Sequence, residues 1–173
     1  MRIVLLGDSH LARIRRDLAA LEENVLNAAE GGTSSLALLA QAATVKVCAD
    51  DFLVVSVGTN DAAPWKRVAL PDFKRALSSC FRLVSTGSCA YIAPPGVVES
   101  RLTGSADRSN ALLDEYRHAG IATCAENGVQ VVRADLLLAP LGATAFTDDG
   151  VHLNGSGYKV LLPAIAAAIQ RPE

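Results

Sequence analysis

The stretch Ile3-Val4-Leu5-Leu6-Gly7-Asp8-Ser9-His10 decides the fold. Its four apolar residues are too few for the apolar region of a signal peptide, and no small-residue cleavage site follows. They read instead as a strand buried on both faces that breaks at Gly7 into a polar turn. Four further runs match it: Asn24-Val25-Leu26-Asn27-Ala28, Phe52-Leu53-Val54-Val55-Ser56-Val57, Cys89-Ala90-Tyr91-Ile92-Ala93 and Val129-Gln130-Val131-Val132-Arg133. Three of the five are near-continuous β-branched or leucine runs, the pattern of strands covered on both sides of a parallel sheet. Helical spacing fills the intervals. Leu11, Ile14, Leu18 and Leu21 share one helix face, and Phe73, Leu77, Phe81 and Val84 repeat it. Leu112, Leu113, Tyr116, Ala119 and Ile121 form a looser set before Gly128, and residues 158–169 are rich in Ala and Leu. Strands alternating with helices imply right-handed crossovers. The expected fold is α/β: a flavodoxin-like three-layer α/β/α sandwich on a five-stranded parallel sheet of order 2-1-3-4-5. Ligands then bind beyond the carboxyl ends of the strands.

Composition agrees with one domain over residues 1–173. A charge of −2, from 16 basic and 18 acidic residues, excludes a dedicated nucleic-acid binder and a polybasic membrane anchor. Half the residues are hydrophobic, which excludes a disordered chain. No run reaches the ~18–20 apolar residues of a membrane helix. Cys48, Cys80, Cys89 and Cys124 contain no CxxC pair and read as small apolar residues in a reducing compartment, so a cytoplasmic location is expected. The oligomeric state is not legible.

The strand ends carry the chemistry. Gly7-Asp8-Ser9-His10 follows the first strand, Glu30-Gly31-Gly32-Thr33 the second and Gly58-Thr59-Asn60-Asp61 the third. Asp148-Asp149-Gly150-Val151-His152 comes near the end of the chain. Together they supply what acyl transfer requires. A serine hydroxyl needs an adjacent base, and the base needs a carboxylate to hold its tautomer. Ser9 between strand and helix projects over the sheet edge, and Asp149 lies three residues before His152, so one turn delivers both. The oxyanion of a tetrahedral intermediate needs preorganised donors. The Ser9 amide, a Gly31 or Gly32 amide and the Asn60 side chain are available for that.

In this order the four segments resemble the conserved blocks of the SGNH hydrolases, the GDSL esterase/lipase family. Ser9, Gly32, Asn60 and His152 match the four letters of the name. Gly58-Thr59-Asn60-Asp61 fits the Gly-x-Asn-Asp block, and Asp149-Gly150-Val151-His152 fits Asp-x-x-His. The resemblance implies Ser9 as nucleophile, His152 as base, Asp149 as its orienter, and Ser9, Gly32 and Asn60 as the oxyanion hole. It departs at His10, where the family has Leu. Gly32 is preferred to Gly31 because it lies five residues after Asn27, and Asp149 to Asp148 because of the offset to His152.

Each residue also has a plainer reading. Taken alone, Ser9 is a helix cap, although Asp8 is the better one. Gly31-Gly32, Asn60-Asp61 and Asp149-Gly150 are all acceptable turns. Asp61 is expected to brace its loop through backbone hydrogen bonds. His10, Gly31 and Trp65 are candidates for the substrate pocket, Trp65 equally for a cover on the sheet edge. His118 reads as solvated. Arg101 and Arg108 lie in or just after the loop that follows the fourth strand and could meet an acidic substrate, with solvated surface charge as the default reading. No metal or cofactor is expected, since nothing in the spacing of His10, His118 and His152 favours a metal site. Gly-x-Ser-x-Gly, GxxxxGK[ST] and GxGxxG are absent, so an α/β-hydrolase or nucleotide site is unsupported.

The expected activity is hydrolysis of small-molecule esters with short acyl groups such as acetyl, because the chain has no insertion long enough for a large lid. An acyltransferase using the same triad is the alternative. A non-catalytic carbohydrate- or metabolite-binding module is the third reading.

Overall fold

The computed structural model describes residues 1–14, 18–21, 24–104 and 107–170. Five parallel strands form one sheet: β1 (Ile3–Gly7), β2 (Val25–Asn27), β3 (Phe52–Ser56), β4 (Cys89–Ile92) and β5 (Gln130–Val132), in the order β2-β1-β3-β4-β5. The topology is the one the sequence implies. β1 and β3 at the centre pair over their full length, from Ile3 opposite Phe52 to Gly7 opposite Ser56. Every residue of both strands is buried.

The period-two alternation of side chains divides the core between two faces. Val4, Leu6, Leu53 and Val55 pack with Leu38, Phe73, Leu77 and Leu113. These come from helices α2 (Leu38–Thr44), α3 (Leu70–Phe81) and α4 (Asn110–Asn127). Ile3, Leu5, Phe52 and Val54 pack on the opposite face with Leu11, Leu138, Leu161 and Ile165. Those belong to α1 (Ser9–Ala12), α5 (Ala134–Leu138) and α6 (Gly155–Ile169). Each fully buried Leu, Ile or Phe contributes about 1.5–3 kcal/mol to the fold.

Local signals explain the longer helices. α3 buries Phe73, Leu77 and Phe81, with a proline in its first turn. The Ser109 hydroxyl accepts from Leu112 N to start α4, and Gly128, at φ +63°, ends it in the left-handed region. Asn154 caps α6 by accepting from the backbone N–H groups of Ser156 and Gly157. No helix among the described residues is long and apolar enough to cross a membrane.

The first helix is shorter than its apolar spacing suggests. Regular α-helix stops at Ala12, and the Ile14 amide turns back to Leu11 O at 3.0 Å, a tight 3-10 contact. A 3-10 turn covers Leu18–Ala20, and residues 15–17 and 22–23 lie outside the described set. Leu11, Ile14 and Leu21 are buried all the same. Successive short turns satisfy an apolar stripe as well as a helix does. Val84 is likewise buried beyond the end of α3.

Candidate active site

The site is assembled at the carboxyl ends of β1, β2 and β3. Gly7 ends β1 at φ +121°, and a Cβ there would overlap the Ser56 carbonyl on β3. Only glycine permits this close approach, which turns the chain sharply off the sheet. Gln41 locks the turn: its Oε1 accepts from Gly7 N at 2.7 Å and its Nε2 donates to Gly7 O at 2.9 Å. Asp8 caps α1, its Oδ1 accepting from His10 N at 3.0 Å and Ser56 Oγ at 3.2 Å. Burial pushes Asp8 up to about 7 despite these bonds. Ser9 is thereby the first residue of α1, over the sheet edge.

After β2, Asn27 organises the glycine turn. Its Oδ1 accepts from Ala29 N, and its Nδ2 donates to Leu11 O. Gly32 has φ +79°, and a Cβ there would meet nothing within 4 Å, so its backbone is open to a ligand. After β3, Asn60 Nδ2 donates to Thr33 O at 2.9 Å, tying the second and third turns together. The amide retains a second N–H for a ligand. Asp61 is fully buried and braces its loop: Oδ1 accepts from Ser35 N and Oγ, and Oδ2 from Gly58 N. Burial raises the Asp61 pKa against those bonds.

Asp149 and His152 stand on the loop before α6. His152 Nδ1 lies 2.6 Å from Asp149 Oδ2. Asp149 Oδ1 accepts from Thr147 Oγ1, Val151 N and His152 N at 2.8, 2.9 and 3.0 Å. Partial burial works to raise the Asp149 pKa, but these donors outweigh it and hold the carboxylate well below its usual range. A carboxylate at Nδ1 fixes the neutral ring with its proton on Nδ1 and a free lone pair on Nε2.

One cavity of about 310 Å³ is lined by Ser9, Gly32, Asn60, Asp149 and His152 together. These are the five residues the sequence singles out for catalysis and oxyanion binding, gathered from four separate segments. His10, Gly31 and Trp65, the expected pocket residues, do not line it. Gly31 lies beside Ser9, where an added Cβ would sit 3.9 Å from the Ser9 Cβ. His10 is buried, with Nε2 3.4 Å from Thr59 Oγ1 and its ring centroid 6.5 Å from that of His152. Burial pushes it down to about 3, with His152 and Arg13 adding to the effect, so the ring is neutral. Trp65 is 62% exposed. His118 is exposed on α4, with Nδ1 2.7 Å from Asp114 O. No group of three metal-ligating side chains is gathered among the described residues.

Two arginines differ from expectation. Arg108 is buried and lines the cavity, because Asp107 and Trp65 enclose it. Arg101 straps the His152 loop: its Nη1 donates to the carbonyls of Ala143, Phe146 and Thr147 at 3.1–3.4 Å. Val98 N donates to Gly150 O at 2.7 Å beside it. Tyr158 on α6 closes the assembly, its hydroxyl donating to His10 O at 2.9 Å. A single arginine among Pro, Gly and Ser residues gives no sequence signal for the strapping role of Arg101. Gln41 gives none either.

The chain belongs to the GDSL-like lipase/acylhydrolase family, whose model matches residues 6–160. Membership makes it a hydrolase of ester bonds. Solved structures share the fold. The lipase/acylhydrolase from Enterococcus faecalis is 23% identical with a TM-score of 0.80, the match covering 100% of this chain and 99% of that one. A putative platelet activating factor from Streptococcus pneumonia is 20% identical with a TM-score of 0.79, covering 97% and 83%. Axe2, an acetylxylan esterase from Geobacillus stearothermophilus, is 18% identical with a TM-score of 0.72, covering 99% and 94%. No curated protein sequence matches the chain.

Proposed function

We propose that this chain is a serine carboxylesterase that removes short acyl groups, acetyl foremost, through an acyl-enzyme intermediate. The observation that carries the reading is the shared cavity of Ser9, Gly32, Asn60, Asp149 and His152, with the imidazole held by its carboxylate at 2.6 Å. Ser9 Oγ attacks the ester carbonyl carbon while His152 Nε2 takes its proton. The carbonyl oxygen becomes an oxyanion and receives hydrogen bonds from Ser9 N, Gly32 N and the free N–H of Asn60. As the C–O bond breaks, His152 returns the proton to the departing alcohol oxygen. Water then attacks the acyl carbon, giving its proton to His152, which passes it back to Ser9 Oγ as the acid leaves. Asp149 stabilises the imidazolium formed in each half.

The acyl preference rests on the cavity's modest volume and on the short loops around it. The acetylxylan esterase activity of Axe2 on the same fold is consistent with it. p-Nitrophenyl esters of increasing acyl length test both parts. Turnover highest for acetate and lost by about 10³-fold or more in Ser9→Ala is expected. Equal turnover by the two proteins overturns the nucleophile assignment, and a rise with chain length overturns the acyl preference.

A further inference from the structure

Arg108 has no part in the mechanism above, yet it lines the same cavity as Ser9 and His152. Its side chain is 7% exposed. Three contacts hold it there. Its Nε donates to Asp107 Oδ1 at 3.1 Å, and its backbone N–H donates to the same oxygen at 2.7 Å. Its guanidinium carbon lies 5.0 Å from the centroid of the Trp65 ring. Neither terminal nitrogen has a hydrogen-bond partner among the described residues. Neither is among the enclosed polar atoms that lack a partner, so the outer edge of the guanidinium opens onto the cavity. A guanidinium whose stem is fixed and whose outer edge is free is the arrangement that receives two oxygens of one anion, at little further cost in entropy. Beside it Leu102 and Val151 give the cavity an apolar wall, and Thr103 adds a hydroxyl.

We infer that Arg108 is a specificity-determining residue and that the ester substrate carries an anionic group, a carboxylate or phosphate, which the free edge of Arg108 binds while Ser9 attacks the ester. The inference rests on the esterase reading of the cavity. The anion belongs to the acyl part or to the alcohol part, and two substrate pairs separate these sources. Mono-p-nitrophenyl succinate against its methyl ester places the charge on the acyl side. p-Carboxyphenyl acetate against its methyl ester places it on the alcohol side.

In at least one pair, wild type prefers the anionic ester in kcat/KM, and Arg108→Gln lowers that anionic-to-neutral ratio by about ten- to a hundredfold. Arg108→Lys, which keeps the charge and loses the fork, falls between. A merely structural arginine would slow both members of each pair alike and leave the ratio unmoved, which overturns the inference.

A binding measurement decides the matter apart from catalysis. Trp65 is the only tryptophan in the chain and stacks on Arg108. Its emission should change saturably on titration with monomethyl succinate or methyl phosphate in wild type and not in Arg108→Gln. No saturable change in wild type, or the same curve in both proteins, overturns the anion site. Saturable binding without Ser9-dependent turnover keeps the anion site and rejects the esterase reading instead.

Discussion

At the amino end of the sheet Asp51 is 2% exposed, and at the carboxyl end Asp8 is 1% exposed, but the two carboxyls sit in opposite surroundings. Asp51 receives Arg2 through Nε at 2.9 Å and Nη2 at 2.6 Å, together with Cys48 N. The Arg2 hydrogen bonds dominate and hold Asp51 down at about 2. Among the described residues Asp8 has no cation bonded to it, only an amide and a hydroxyl, and burial dominates, raising it to about 7. One end of the sheet is fastened by charge pairing. The turn that carries Ser9 is built with neutral donors, and the charged side chains at that end, Asp149 beside His152 and Arg108 with Asp107, line the cavity itself. Stability is provided at one end, and charge is kept for chemistry at the other.

Four experiments break or sharpen that contrast. Asp149→Asn leaves the loop's shape but no longer fixes the Nδ1 tautomer, so kcat should drop by about 10⁴-fold with little change in Tm. A loss below tenfold in p-nitrophenyl acetate kinetics removes Asp149 from the role of orienter. Asn60→Ala takes away one proposed oxyanion donor and the tie to Thr33, and kcat should drop by about 10²–10³-fold. Unchanged kcat would show that the Asn60 amide never reaches the oxyanion.

At the opposite end, Asp51→Ala should lower Tm by roughly 3–8 °C while kcat is retained. A variant as stable as wild type by calorimetry would mean the Arg2 pair fastens nothing. The smallest effect concerns the sign of pH dependence. Asp51, with its pKa depressed, contributes stability above about pH 4 that is lost as pH falls toward 2. Asp8, with its pKa raised, holds its proton in the folded state, so its contribution declines as pH rises from about 4 to about 7. Asp8→Asn keeps an acceptor for His10 N and Ser56 Oγ but has no proton to lose. Its Tm relative to wild type should therefore rise between pH 5 and pH 8. A constant difference across that range contradicts a raised Asp8.

Which features were legible follows from where their causes lie. The β1 and β3 runs report burial on two faces directly, because nothing polar is tolerated there, and the strand order followed from alternation with helices. Ser9, Gly32, Asn60, Asp149 and His152 were legible because each sits in a short block with fixed spacing. Arg101 and Gln41 were not. Both act through backbone carbonyls and amides, which every residue offers, so no partner residue marks them in the sequence. The default reading of Arg108 as solvated misses its burial for a related reason: that burial depends on Trp65, 43 residues earlier in the chain. The short α1 shows the limit of periodicity, since Leu11 and Ile14 are buried whether or not a helix continues past Ala12.

The hydrogen bond from the Tyr158 hydroxyl to His10 O has a consequence for how activity arises during synthesis. It joins residues 148 positions apart, and Ser9 and His152, which line one cavity, are nearly as far apart in the chain. Contacts of such separation in sequence close late, after the loop entropy between them has been overcome. A nascent chain that has already formed β1 through β5 therefore holds the proposed nucleophile, Ser9, without the proposed base, His152. On that proposal turnover of an ester begins only once α6 and the loop before it have docked, and hydrolysis would time the last step of folding.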